Sequence, residues 1–286
     1  MSEPDRDAAA QAARTRNAHL FDVLADSYDS VGVEFFAPIA DGLLATVALY
    51  PGERVADLGC GKGAVLLPAA RAVGSRGSVV GVDVSPAMVR ASREAAETAG
   101  LAQVEVRVDD AQAPTLPQDA FDAVTASLVL FFLPDPVGAL RAWAELVVAG
   151  GRLGVSTFGA QDPTWRLVDD VFTPYLPQAM LDARTSGARG PFASDVGVAG
   201  LFGSAGLIDV RTTTVDLAVR FRDADQWHAF MMSTGQRAMW LAVPETERSN
   251  VRAEAERRLA EAADPDTGEY VLHQQIRYTV GRRPPG

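Results

Sequence analysis

Residues 55–63 read VADLGCGKG. A short apolar run meets three alternating glycines, Gly59, Gly61 and Gly63, and a carboxylate, Asp57, stands two residues before the first. Glycine lets the chain turn tightly and lets a ligand approach the main chain. A strand that ends in such a turn, ahead of a helix N-terminus, suits a nucleotide-like ligand. The spacing is G-x-G-x-G, whereas a dinucleotide fold wants G-x-G-x-x-G. Asp57 would repel a pyrophosphate and attract a cation, so the stretch points to a positively charged ligand without phosphates.

Working outward, RVADL (54–58), SVVGVD (78–83), VEVRV (104–108), FDAVTAS (121–127) and RLGVSTF (152–158) read as strands. Helical stretches are expected over 64–73, 85–99 and 136–148, the second started by the cap-and-first-turn pair Ser85-Pro86. Pro68 is expected to kink its helix or mark an irregular turn. Strands alternating with helices imply a parallel sheet covered on both faces, binding ligands at the carboxyl ends of its strands. Two helices, over 8–28 and 34–49, precede this core. Beyond it, 163–193 carries Trp165, Phe172, Tyr175, Met180 and Phe192 with no strand period, and reads as an inserted helical lid. Ser194 is expected to cap a helix to about residue 205. LIDVRTTTVDLAV (207–219) and YVLHQQIRYTV (270–280) are expected as the last two strands, with helices over about 223–235 and 245–263 between them.

Asp83 ends the second strand, 20 residues after Gly63. A carboxylate there can accept from both hydroxyls of a ribose. Asp109-Asp110-Ala111 follows the third strand, where a carboxylate can accept from the amine of adenine; Asp110 is the first choice and Asp109 the register alternative. Val84 and Met88 can cover the base. An adenosine with no phosphate and a cationic tail is implied, and S-adenosyl-L-methionine fits.

VADLGCGKG, GVDVSPAMV, VDDAQAPTLPQDAFDAV and LVLFFLPD, in this order, resemble the class I S-adenosylmethionine-dependent methyltransferases, and among them the ubiquinone/menaquinone-methyltransferase-like small-molecule branch. The motifs span roughly 50–158. The resemblance implies an α/β fold: a doubly wound, Rossmann-like, mostly parallel seven-stranded sheet with an antiparallel last strand, N-terminal helices and an inserted helical lid. The expected segments are a helical cap (1–50), the cofactor-binding core (51–160), the lid and following helix (161–206), and the last strands with a helical substrate cap (207–286). It also implies roles. Asp57 would hold the methionine amino group; Gly59, Cys60 and Gly61 would give close backbone contact to the methionine part; Asp83 would bind the ribose. Val84 and Met88 would line the adenine, Asp110 would accept from its amine, and the Ala111 N–H would reach a ring nitrogen. The main chain at Ser127 would contact the amino group, and Tyr28 would close over the cofactor. Where many relatives have L-H-H after the fourth strand, this chain has Leu130-Phe131-Phe132, so no histidine base stands there.

The remaining readings concern the acceptor and the surroundings. Phe35, Phe36, Trp165, Tyr175, Trp227, Met231 and Met232 are the candidate walls of an acceptor pocket, with Trp240 also among the aromatic residues outside the sheet repeat; such a pocket suits a flat or polycyclic molecule. His228 is the candidate base, ranked above His19 and His273. Cys60 reads as packing, because no histidine partner is evident. The net charge of −11 disfavours nucleic acid as a partner. No run is long and apolar enough to span a membrane. The polar start MSEPDRDAAA carries no secretory signal pattern, and one cysteine gives no disulfide framework, so a cytoplasmic protein is expected. Three histidines and one cysteine without paired spacing offer no built-in metal site. The expected activity is methyl transfer to an oxygen, nitrogen or carbon of a small organic molecule, with the alanine- and arginine-rich composition hinting at a secondary metabolite. The alternatives are a cyclisation or rearrangement on the same cofactor-binding fold, and a nicotinamide-dependent oxidoreductase, whose glycine spacing is absent. A homodimer is a possible assembly.

Overall fold

Four of the five core strands have the bounds expected from their apolar runs. In the computed structural model, which describes residues 3–181 and 189–286, these are β1 (Arg54–Leu58), β2 (Ser78–Asp83), β3 (Val104–Val108) and β4 (Phe121–Ser127). The fifth, β5 (Val147–Gln161), is longer than 152–158 at both ends: Val147 is in register with Phe121 of β4, and Gln161 with Gln274 of a C-terminal strand. With β6 (Ile208–Phe221) and β7 (Tyr270–Arg282) they form one seven-stranded sheet in the order β3-β2-β1-β4-β5-β7-β6. β1 to β5 pair in parallel, and β7 runs antiparallel to both its neighbours. The strand order reverses between β1 and β4, which is where sheets of this class open a crevice.

Side chains alternate faces along a strand, and here they feed two apolar layers. Val55 and Ala123 belong to one; Ala56, Leu58, Val124 and Ala126 belong to the other. The first layer is covered by α2 (Phe36–Val47) and α3 (Leu66–Val73), the second by α5 (Pro136–Leu146) and α8 (Asp195–Ser204). α1 (Glu3–Leu24) stops before residue 28, because the chain turns at 25–29 with Asp29 at φ 53°. Pro68 neither kinks nor breaks α3. The helix starts at Leu66, so Pro68 falls in the first turn, where a missing N–H has no intrahelical partner to lose.

Several helices start on side-chain caps. Ser85 accepts from Met88 N at the head of α4 (Pro86–Thr98), Asp135 from Gly138 N at α5, Asp162 from Trp165 N at α6 (Pro163–Asp169), and Ser194 from Gly197 N at α8. Three of these caps precede a proline in the first turn. The segment after β5 holds α6 and the short α7 (Gln178–Leu181); residues 182–188, which the sequence placed in the lid, lie outside the described residues. Between β6 and β7 come α9 (Ala224–Ser233), α10 (Arg237–Ala242) and α11 (Arg248–Leu259), and α10 is a helix the sequence pattern did not indicate. Among the described residues no helix is long and apolar enough to cross a membrane.

Candidate active site

The glycine turn is tied to the neighbouring strand before any side chain enters. Gly59 N and Cys60 N both donate to Val82 O, at 2.7 and 2.9 Å. Gly59 has φ +69°, and a Cβ there would collide with the Val129 side chain. Gly61, at φ +53°, donates its N–H to Asp83 Oδ2 at 2.9 Å, and Ser85 N donates to Oδ1 at 2.9 Å. The Asp83 carboxylate thus bridges the turn after β1 and the start of α4. Burial raises its pKa, and those two backbone donors oppose the rise. Cys60 lies inside this turn, with its thiol pushed up by burial and by the charges of Asp83 and Asp57. It stays protonated and packs.

Asp57 is almost fully buried. Its Oδ1 accepts from the Thr125 hydroxyl at 2.9 Å, and Oδ2 is sealed from solvent with no partner in the protein. Burial drives its pKa up to about 7, with the Thr125 bond working against the shift. A pocket of about 210 Å³ opens beside it, lined by Gly59, Gly61, Lys62 and Ser127 together with Tyr28 and Phe36. Tyr28, Phe36, Gly59, Gly61 and Ser127 also line a cavity of about 610 Å³. Asp83, Val84, Met88, Asp110 and Ala111 stand along one end of that larger cavity.

The two adjacent aspartates differ in their hydrogen bonds. Asp109 Oδ1 accepts from Asp110 N at 2.8 Å, and Oδ2 accepts from Thr115 N and Oγ1 at 2.7 and 2.9 Å. It is buried as a turn-builder. Asp110 lines the cavity, with Oδ1 accepting from Gln112 N and Oδ2 3.6 Å from Arg14 Nε of α1. α1 is docked over this end. Asp22 accepts from Ser85 Oγ at 2.6 Å and Ala87 N at 3.0 Å, and Lys62 Nζ donates to Tyr28 O at 2.9 Å. Tyr28 stacks on Phe36 with ring centroids 4.6 Å apart, and its phenol is held far above its ordinary pKa by burial and by the Asp83 and Asp29 charges. It can donate a hydrogen bond and cannot serve as a base.

The other end of the cavity is aromatic. Phe35, Phe36 and Trp165 are there as the sequence suggested, joined by Phe131, Phe158 and Phe230. Four suggested walls are elsewhere. Trp227 and Met231 are fully buried in the core behind the cavity, because α9 turns Phe230 inward instead; Met232 and Tyr175 pack against the same core without reaching the lining. His228 is also displaced. It packs edge-on against Trp240, with centroids 4.7 Å apart, and the charged groups around it are Arg252, Asp225 and Glu256. Burial and Arg252 lower its pKa. It has no access to the cavity and is withdrawn as a base. Asp169, Gln161 and Gln274 line this end and were not singled out in the sequence. One signal for Asp169 is its place four residues after Trp165 on α6, the spacing that puts two side chains on the same helix face. Among the described residues, no group of three or more His, Cys, Asp or Glu is gathered as a metal set.

Residues 55–151 match a family described as a methyltransferase domain. Over 283 residues, covering 93% of this chain and 99% of the relative, the sequence is 38% identical to nocamycin O-methyltransferase from Saccharothrix syringae. The chain belongs to the S-adenosylmethionine-dependent methyltransferases. Aklanonic acid methyltransferase DauC from a Streptomyces strain is 41% identical over 162 residues, 57% of this methyltransferase and 74% of DauC. Among solved structures, the YcgJ protein of Bacillus subtilis has the same fold, with a TM-score of 0.57 at 16% identity over 87% of this chain and 99% of that one. S-adenosylmethionine is the methyltransferase's cofactor, and the site fits it in two respects. Asp57 Oδ2 is a buried acceptor awaiting a donor, and at Gly61, which borders both pockets, the turn leaves open space that a side chain would enter.

Proposed function

We propose that this methyltransferase moves the methyl to an oxygen of a small natural-product molecule, with the cofactor across the carboxyl ends of β1, β2 and β3 and the acceptor in the aromatic part of the same cavity. The observation that carries this reading is the single cavity of about 610 Å³ that runs from Asp83 and Asp110 to Trp165 and Phe230. The name nocamycin O-methyltransferase, given to a relative matched along nearly its full length, supports oxygen as the receiving atom.

Each residue then has a task. Asp57 Oδ2 accepts from the ammonium of the methionine part, which relieves an otherwise unpartnered buried oxygen. Gly59, Cys60 and Gly61 let that part lie against the main chain, and Ser127 bounds it from β4. Asp83 accepts from the ribose hydroxyls with the lone pairs that Gly61 and Ser85 leave free, Val84 and Met88 cover the base, and Asp110 with the Ala111 N–H reads its edge. The bound cofactor supplies a methyl group already activated on a sulfonium. The protein therefore needs chiefly to align the receiving oxygen and exclude water. Phe35, Phe36, Phe131 and Phe158 form a dry wall for that purpose, and α1 with the turn to Tyr28 covers the entrance and must open for exchange.

Calorimetric titration with S-adenosylhomocysteine tests the cofactor half. The wild type binds it, and Asp83→Ala weakens binding by about tenfold to a hundredfold, the loss of hydrogen bonds to a charged group. Unchanged affinity in the folded variant removes the ribose assignment. With an acceptor in hand, a product heavier by one CH₂ distinguishes methyl transfer from a cyclisation or rearrangement, which adds nothing.

A further inference from the structure

The aromatic end of the cavity terminates on a carboxylate that the fold itself does not use. Asp169 is the last residue of α6, one turn after the buried Trp165, and it lines the cavity. Gln161, at the end of β5, donates from Nε2 to Asp169 Oδ2 at 3.0 Å. Oδ1 is sealed from solvent and has no partner. Asp109, a carboxylate that builds a turn, has both oxygens occupied. Asp57 has one occupied and one free, as Asp169 does, and it borders the cofactor pocket. Leaving a buried carboxylate oxygen unpaired is costly, and burial pushes the Asp169 pKa up to about 7. One turn earlier the indole N–H of Trp165 is also buried without a partner, and both residues line the cavity.

Strand geometry decides which part of an acceptor could meet this group. Ser156 on β5 is in register with Ser127 on β4, beside the methionine pocket. Gln161 lies five residues further along β5, and at about 3.3 Å per residue it stands roughly 15 Å away, less what the irregularity between Phe158 and Gln161 removes. Asp169 is therefore too far from Ser127 to take a proton from an oxygen placed there.

We infer that Asp169, braced by Gln161, receives a hydroxyl at the end of the acceptor remote from the methylated oxygen, so that the acceptor is an elongated, largely aromatic molecule with a hydrogen-bond donor at its far end. The inference rests on the cofactor placement proposed above. Asp169 makes and breaks no bond; it selects for length and for a terminal donor, and Phe131, Phe158 and Trp165 hold the body between.

Two probes differ only at that end: para,para′-dihydroxybiphenyl and para-hydroxybiphenyl. Each is titrated into the full-length protein saturated with S-adenosylhomocysteine, with the affinity for S-adenosylhomocysteine measured on the same samples. The wild type should prefer the dihydroxy compound by about tenfold or more, as for one hydrogen bond to a charged group. Asp169→Ala should abolish the preference while leaving the affinity for the monohydroxy compound and for S-adenosylhomocysteine within about twofold. Should Asp169→Ala fail to fold, Asp169→Asn carries the same comparison and is expected to reduce the preference. A preference that survives both substitutions, or a wild type that binds neither biphenyl or both equally, overturns the inference. Failure of the wild type to bind S-adenosylhomocysteine would instead strike at the cofactor placement, and the probe preference at Asp169 can still be read without it.

Discussion

At the cofactor end, the polar groups are set largely by main-chain donors and acceptors at the ends of adjoining strands. Asp83 is held by Gly61 and Ser85, Asp109 by Asp110 and Thr115, and Gly59 and Cys60 by the carbonyl of Val82 near the end of β2. At the acceptor end, the wall is assembled from Phe35, Phe158, Trp165, Phe230 and Gln274, contributed by segments spread over most of the chain. The first end is fixed by backbone geometry and tolerates almost no change. The second is fixed by side-chain packing and can be re-lined without moving the sheet. One fold can thus keep its methyl donor while the acceptor changes.

Substitution in the glycine turn should break the cofactor end hardest. Gly59→Ala places a Cβ at a positive φ and against Val129. The left-handed conformation alone costs about 1–2 kcal/mol for an alanine, so affinity for S-adenosylhomocysteine is expected to fall by at least about tenfold. Adding Val129→Ala removes the collision but not the backbone strain, and should restore part of the loss. Full restoration, or none, would show that the turn is not limited in this way.

A smaller effect separates the two ends by pH. The Asp57 carboxyl is raised from 3.8 to about 7 in the folded protein. Folding therefore favours its protonated form: the contribution is fully present below about pH 3.8 and is lost as pH rises through about 7. Asp169 adds a slope of the same sign. The cofactor-free protein is expected to melt at progressively lower temperature from about pH 5 to 8, and Asp57→Asn should remove part of that slope. Saturating S-adenosylhomocysteine, whose ammonium favours ionised Asp57, should also flatten it, with uptake of ligand near pH 7 releasing protons to the buffer. Melting temperatures that do not respond to Asp57→Asn would contradict the reading of Oδ2 as an empty acceptor.

The smallest effect expected is at His228. Because it packs on Trp240 outside the cavity, His228→Ala should leave S-adenosylhomocysteine affinity and probe binding within about twofold, with a stability loss of about 1 kcal/mol from lost packing. A large change in probe affinity would mean that α9 presents a different face in solution.

The same division governs what could be read from the sequence. RVADL and SVVGVD are buried apolar runs bounded by turn residues, and their strands begin and end where the pattern does. Ser194 caps α8 through Gly197, three residues on, so the sequence alone locates that helix start. Asp57, Asp83 and Asp110 stand out in the sequence because each is a carboxylate at or just beyond the end of an apolar strand run, and each lines one of the two pockets. The acceptor wall was not. Trp227, Met231 and Phe230 occupy adjoining places on α9, and only tertiary packing decides that Phe230 faces the cavity while the other two enter the core. Tyr175 ends a single helical turn over 173–175 and packs against the core, a placement that no local pattern reports. Asp169 was overlooked because a charged residue at a helix end usually meets solvent, whereas here Gln161 from another element holds it inside.

The central claim is that one cavity holds the cofactor at its carboxylate-lined end and the acceptor at its aromatic end. The most direct test is a crystal structure with S-adenosylhomocysteine bound. The amino group is expected at Asp57 Oδ2, the ribose hydroxyls at Asp83, the adenine between Met88 and Asp110, and the sulfur facing Phe35 and Phe131. A ligand lying the other way, with its adenine among Phe158, Trp165 and Phe230, would contradict it.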